Sequence, residues 1–272
     1  MPKLTRQGCS LAYELIDIAA PWITEPETIV FQHGIGASQG IWAEWLPALV
    51  DRYRVLRFDM RGHGASTWAP PAAKLSIDAP TDDLFAVMDA AGVSRAHLVG
   101  ESIGGTIVLN AALRAPERIA TLTVSNGAHV GAGIQSVQDW WDVIETRGMS
   151  GWSAHMMRHR FFDGAVPDAV WRWFEAGQAA ADPQAVQQLL AALVGADMTD
   201  RLPGLLQPTL LLHPDSSPFI PVPVMADFKA RAPNARLHVI GRAKHGLPVS
   251  HARTCAELLR SFLDEHTGRD PA

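Results

Sequence analysis

Short, almost uniformly apolar runs recur along the first half of the chain, at residues 28–32, 53–58, 96–100 and 119–125. The pattern resumes later at 208–213 and 235–240. Runs of this length with no polar face suit strands buried on both sides, as in a parallel sheet. Residues 10–17 alternate partially instead, which fits a strand in an antiparallel edge pair. Between the runs lie segments with helical spacing. Trp42, Trp45, Leu46 and Leu49 form one stripe over residues 41–49, and residues 82–92 begin with Asp82 and Asp83 and stop at Gly92. A helix follows Thr106 and ends near Pro116. Others are expected over 222–231 and 251–265, the last with Leu258, Leu259 and Phe262 on one face. Strand and helix in alternation predict a parallel sheet with right-handed crossovers.

That rhythm breaks between about Gly127 and Met198. Four helical segments, at 136–145, 151–162, 168–178 and 183–194, run without an intervening strand. Five of the nine tryptophans (Trp140, Trp141, Trp152, Trp171, Trp173) fall here, with Phe161, Phe162 and Phe174. An aromatic load of this size predicts a helical cap over the C-terminal edge of the sheet, its underside lining an apolar pocket. The expected division is a core of residues 1–127 and 199–272 with a cap at 128–198. His155 and His159 are four apart on one helix but have no acidic third ligand nearby, so no metal site is expected.

Composition adds mainly exclusions. With 272 residues, 47% hydrophobic and 19% charged, the chain reads as one globular unit, and a net charge of −5 offers no footprint for nucleic acid. Cys9 and Cys255 stand at opposite ends with no metal-type spacing. No segment suits a signal peptide or a membrane span, so a cytoplasmic monomer or homodimer acting on a small molecule, without a cofactor, is expected.

The candidate chemistry sits at predicted C-terminal strand ends, where open α/β sheets bind ligands. Gly100-Glu101-Ser102-Ile103-Gly104 has small residues on both sides of a serine between an apolar run and a helix. This is the Gly-x-Ser-x-Gly pattern of a nucleophile elbow, which projects the hydroxyl from a strained turn. The first apolar run ends in the small-residue loop His33-Gly-Ile-Gly-Ala-Ser38. Asp59, Arg61 and His63, in the glycine-punctuated turn of residues 59–66, are read as tying a loop together. His245 follows the last strand and is the candidate general base, in the chain order Ser…Asp…His.

With these motifs the chain resembles the α/β-hydrolase superfamily over essentially its full length. Within it, the sequence is most similar to 3-oxoadipate enol-lactonases, through residues 125–131, Trp140, Arg147-Gly-Met149 and residues 196–202. The resemblance implies a mostly parallel eight-stranded sheet with helices on both faces and the cap inserted after the sixth strand. It also implies an oxyanion hole from the backbone N–H groups of Ile35 and Ile103, and a pocket with His33, Trp140 and His129. The family's acid normally stands at the position held here by Ser217, and the alternative position after the sixth strand reads Ser125-Asn126. Asp215, two residues before Ser217, is therefore taken as the third catalytic residue. A water-assisted or Ser217-oriented dyad is its rival.

The resulting expectation is a serine hydrolase. Ser102, His245 and Asp215 would cleave a small ester, enol-lactone or ring-cleavage-type substrate through an acyl-enzyme. A lyase or cofactor-free oxygenase on the same scaffold, and a small-molecule receptor with residual hydrolysis, stay open as alternatives.

Overall fold

A computed structural model describes residues 1–135 and 137–267. The apolar runs become strands of one eight-stranded sheet: β1 (Lys3–Arg6), β2 (Cys9–Ile16), β3 (Thr28–Gln32), β4 (Arg54–Phe58), β5 (Ala96–Glu101), β6 (Ile119–Ser125), β7 (Thr209–Pro214) and β8 (Ala235–Ile240). Their spatial order is β1-β2-β4-β3-β5-β6-β7-β8. Pairings β1/β2 and β2/β4 are antiparallel, and every pairing from β4 onward is parallel. Polar β1 completes the predicted edge pair although its sequence carries no alternation strong enough to announce it.

Side chains of the central strands alternate between two cores, as a two-residue period requires. On one face Val30, Leu98 and Leu211 pack with Leu84, Val87 and Met88 of α1 (Asp78–Ala90), Ile107 of α2 (Ile103–Arg114) and Phe228 near the end of the chain's later helices. On the other, Phe31, Val99 and Leu212 pack with Trp42, Trp45, Cys255 and Leu259. The stripe at 41–49 is a 3-10 segment, Gln39–Ala48, rather than an α-helix. Trp42 and Trp45 are three apart, so a three-residue turn eclipses them, and their rings meet at 5.1 Å. Pro47 inside the segment also withholds an N–H from any α-helical ladder.

Between β6 and β7 the chain runs through α3 (Val137–Arg160), α4 (Asp168–Ala179) and α5 (Pro183–Val194). The two helical segments expected at 136–145 and 151–162 are the arms of α3, kinked at Gly148 with φ +63°. Ser136, the expected first residue, lies outside the described residues. The chain then passes through α6 (Val222–Arg231), α7 (Leu247–Ser250) and α8 (Ala252–His266); α8 matches the last predicted helix to within a residue at each end, and the short α7 before it was not expected. Among the described residues no helix is long and apolar enough to cross a membrane.

Candidate active site

Ser102 occupies the junction of β5 and α2 with φ +57° and ψ −125°, in the left-handed half of conformational space. A non-glycine residue is held there only when its surroundings dictate it. Here they do: a Cβ on Gly100 would collide with the Gly104 carbonyl, and one on Gly104 with the Gln32 carbonyl at the end of β3. Glycine at both positions lets strand, turn and helix approach, and the Ser102 N–H is fixed on the Ser125 carbonyl of β6 at 3.0 Å.

His245 lies after β8, and the structure brings it to the serine across 143 residues. Its Nε2 stands 3.1 Å from Ser102 Oγ. The end of α3 holds its backbone: His245 N–H donates to the His159 carbonyl at 3.3 Å and Gly246 N–H to the Arg160 carbonyl at 2.8 Å. The Phe219 ring packs edge-on against the imidazole with centroids 4.8 Å apart. Burial pushes the His245 pKa well below its ordinary value, and Arg160, His213 and His159 add to the effect.

The other ring nitrogen has neutral neighbours. Asn126 Nδ2 is 2.6 Å from His245 Nδ1 and donates to the His245 carbonyl at 2.9 Å, while Ser217 Oγ is 3.4 Å from Nδ1. Asn126 Oδ1 is buried without a hydrogen-bond partner. Asp215, expected at this nitrogen, is elsewhere. Its carboxylate is exposed and accepts from the backbone N–H groups of Arg242 at 2.9 Å and Ala243 at 3.1 Å. It stands two positions before Ser217, and the turn after β7 directs the two side chains differently. Asp215 staples the β7 and β8 ends, whereas Ser217 faces the ring.

The loop after β3 is fixed from three directions. His33 Nδ1–H donates to the Gly34 carbonyl at 2.8 Å while its Nε2 accepts the Met60 N–H at 2.9 Å. His63 Nε2 accepts the Gly36 N–H at 3.0 Å, and Arg160 Nη2 donates to the Ile35 carbonyl at 2.7 Å. The carbonyls on both sides of Ile35 are thus held, which fixes the peptide planes on either side of it. Ile103 N–H is the first of α2, where no intrahelical acceptor exists and the helix dipole is positive.

The turn at 59–66 behaves as read. Asp59 accepts from the N–H groups of Gln39 at 2.8 Å and Ala65 at 2.9 Å, and Arg61 makes a two-pronged bond to Asp83. Of the three residues expected in a pocket, Trp140 belongs near the ring: it lies 5.0 Å from Phe219 and 5.8 Å from Trp152. The other two expectations are corrected. Both ring nitrogens of fully buried His33 are committed to backbone. His129 turns toward α6, where its Nε2 meets Asp227 at 3.2 Å and its ring packs on Phe228.

Two further residues belong to the site. Glu101, the polar step of the elbow, is only 2% exposed, and its Oε1 is 3.8 Å from both His245 Nε2 and Arg160 Nη1. Its Oε2 is buried with no hydrogen-bond partner. Burial pushes this carboxyl up to about 7 against the opposing pull of Arg160. Arg160 is itself 1% exposed at the last position of α3, with Nε on Gln178 Oε1 at 3.2 Å. A carboxylate inside the elbow motif was the one available signal for Glu101.

Comparisons with known proteins identify the family. The family profile described as the α/β hydrolase fold matches residues 27–252, so the chain belongs to that family and is an α/β-hydrolase enzyme. It is 30% identical over 248 residues to the putative carbamate hydrolase RutD of Pantoea ananatis, covering 88% of this chain and 89% of that protein. It is also 30% identical to the 2-hydroxymuconate semialdehyde hydrolase of Pseudomonas sp. strain CF600, over 86% of this chain and 85% of that one. Among solved structures, the enol-lactonase of Burkholderia xenovorans LB400 superimposes with a TM-score of 0.87 at 23% identity, covering 96% and 99% of the two chains; it shares the fold.

Proposed function

We propose that the protein is a serine hydrolase that cleaves a small ester, enol-lactone or ring-cleavage-type substrate through an acyl-enzyme. The observation that carries this reading is the 3.1 Å approach of His245 Nε2 to Ser102 Oγ on a strained elbow. Ser102 Oγ attacks the substrate carbonyl, His245 Nε2 takes its proton, and the N–H groups of Ile35 and Ile103 receive the oxyanion. His245 then protonates the leaving group, and water, activated by the same nitrogen, releases the acyl group.

Proton transfer to Nε2 requires the ring to carry its resting proton on Nδ1. With Asn126 Nδ2 facing Nδ1, the resting proton sits on Nε2 and points at Ser102. A half-turn of the amide presents Oδ1 instead, and Ser217 Oγ offers a second acceptor. Asn126 and Ser217 thus take the orienting place that an aspartate fills in a full triad. The helices α3 to α5 serve as the cap, with Trp140, Trp152 and Phe219 as apolar walls for the acyl group. The relatives named for a carbamate and for a muconate semialdehyde support small, planar, carbonyl-bearing substrates.

The test is covalent labelling with a fluorophosphonate, followed by turnover of a panel of p-nitrophenyl esters and lactones. We expect wild-type enzyme to label at Ser102. Ser102→Ala is expected to stay unlabelled and to lose at least about 10³-fold in kcat on the best substrate. Undiminished turnover by Ser102→Ala overturns the reading.

A further inference from the structure

From the placement of Glu101 we infer that this carboxylate supplies the negative charge that the site lacks at His245 Nδ1, supporting the imidazolium from its Nε2 side. The inference rests on the serine-hydrolase reading. It starts from an inconsistency in the charges. When Ser102 attacks, its O–H bond breaks, the new O–C bond forms, and the proton moves to Nε2, so His245 becomes a buried cation. Its Nδ1 neighbours, Asn126 and Ser217, are neutral, and Arg160 at the end of α3, His213 on β7 and His159 on α3 all disfavour that charge. A buried cation without a counter-charge is strongly unfavourable.

Among the described residues, Glu101 is the carboxylate within reach of the ring, with Oε1 3.8 Å from Nε2. The separation is too long for a hydrogen bond, so the carboxylate does not compete with Ser102 for the imidazole. It is short enough for a charge pair that water cannot screen, since both groups are 2% exposed. Arg160, at 3.8 Å on the other side, favours the ionised carboxylate against the burial that raises this group to about 7, so the charge is fully present only above that pH. No proton passes to Glu101 in this scheme. The proton on Nε2 goes to the leaving group, and Glu101 acts through His245, as a positioning charge. The groups that face the pair are Arg160, His159 and His213, together with the Gly34 backbone. Because the Glu101 carboxyl is raised to about 7 whereas His245 on its own titrates well below its ordinary range, loss of the carboxylate should govern the acid side of the rate profile.

The experiment compares wild type, Glu101→Gln, Ser217→Asp and the double variant on p-nitrophenyl acetate, with Ser102→Ala alongside. We expect Glu101→Gln to lower kcat on the order of 10²-fold with KM little changed, and to remove an acid limb near pH 7. Ser217→Asp places a carboxylate at the Nδ1 face, and in the Glu101→Gln background it should restore most of the lost kcat. A Glu101→Gln enzyme within about twofold of wild type overturns the inference. So does a loss that Ser217→Asp fails to repair, because Glu101 would then matter only through its contact with Arg160. Should Glu101→Gln not fold, the wild-type profile decides. An acid limb near pH 7 supports the assignment, and one confined well below pH 6 overturns it. Full turnover by Ser102→Ala would instead mark failure of the underlying hydrolase reading, whereas a dead Ser102→Ala with an active Glu101→Gln sinks only the role of Glu101.

Discussion

The two sides of the site are built from different chemistry. At the ends of β3 and β5, the groups nearest the serine are charged or hydrogen-bonded to backbone: Glu101 faces Arg160, and His33, His63 and Arg160 hold the loop at Ile35. At the ends of β6 and β7, the groups that meet His245 are an amide and a hydroxyl, and the nearby carboxylate of Asp215 is spent on the backbone of Arg242 and Ala243. Both sides position the same imidazole. On the role proposed for Glu101, the charge needed by a histidine base comes from the side of the nucleophile rather than from a partner at the remote ring nitrogen. Fixing the ring and stabilising its cation are separable tasks.

The largest expected effect tests the charged side. Arg160→Leu leaves Glu101 buried without its cation and frees the Ile35 carbonyl. We expect kcat to fall on the order of 10²-fold and stability to fall by about 3–5 kcal/mol, measured by ester turnover and urea unfolding. Normal activity in a folded Arg160→Leu would mean that the charged side is not a working unit. The neutral side should respond less. Asn126→Ala should cost about tenfold in kcat by loosening the ring, while Asn126→Asp should raise kcat on activated esters about tenfold by restoring a carboxylate at Nδ1. If the two variants move together, Asn126 acts as a spacer rather than through its hydrogen bonds. The smallest effect is expected at Asp215. Asp215→Asn should leave kcat within about threefold of wild type and lower stability by no more than about 1 kcal/mol, because only exposed hydrogen bonds to backbone are weakened. A loss of 10²-fold or more would return Asp215 to the site and remove the contrast.

Much of the β3–β5 side was readable because its information is local. Gly100, Ser102 and Gly104 encode a turn within five residues, and an apolar strand before it and a helix after it complete the signature. His245 was readable from its place after the last apolar run. Ser217 stands in the sequence as the rival to Asp215, and Asn126 fills the alternative acid position, but the choice among them was not readable, because it depends on where three separate strand ends converge. Asp215 and Ser217 are two residues apart in sequence, yet the turn sends one to the backbone of residues 242–243 and the other to the ring. Burial of Glu101 and its meeting with Arg160, fifty-nine positions later in the chain, follow from the docking of α3, for which the sequence offers only apolar spacing. His33 and His129 show the converse error. A histidine near a strand end invites a role with substrate, but each finds its partners in the scaffold.

One small piece of α3 has wider consequences for how this protein could be altered. The carbonyls of His159 and Arg160 hold the backbone of His245 and Gly246, and the Arg160 side chain holds the carbonyl of Ile35. Two residues therefore join the inserted helices to both loops that would carry the reaction. A chimera that exchanges the insertion for that of a relative, in order to transplant substrate preference, cannot be cut at the ends of β6 and β7 alone. Its splice must carry this turn across intact, or match it with an arginine and two free carbonyls in the same places. The segment downstream is tied in as well, through Gln178 on the Arg160 guanidinium and the Asp182 N–H on the Gly62 carbonyl, so new specificities are expected to arise upstream of residue 159.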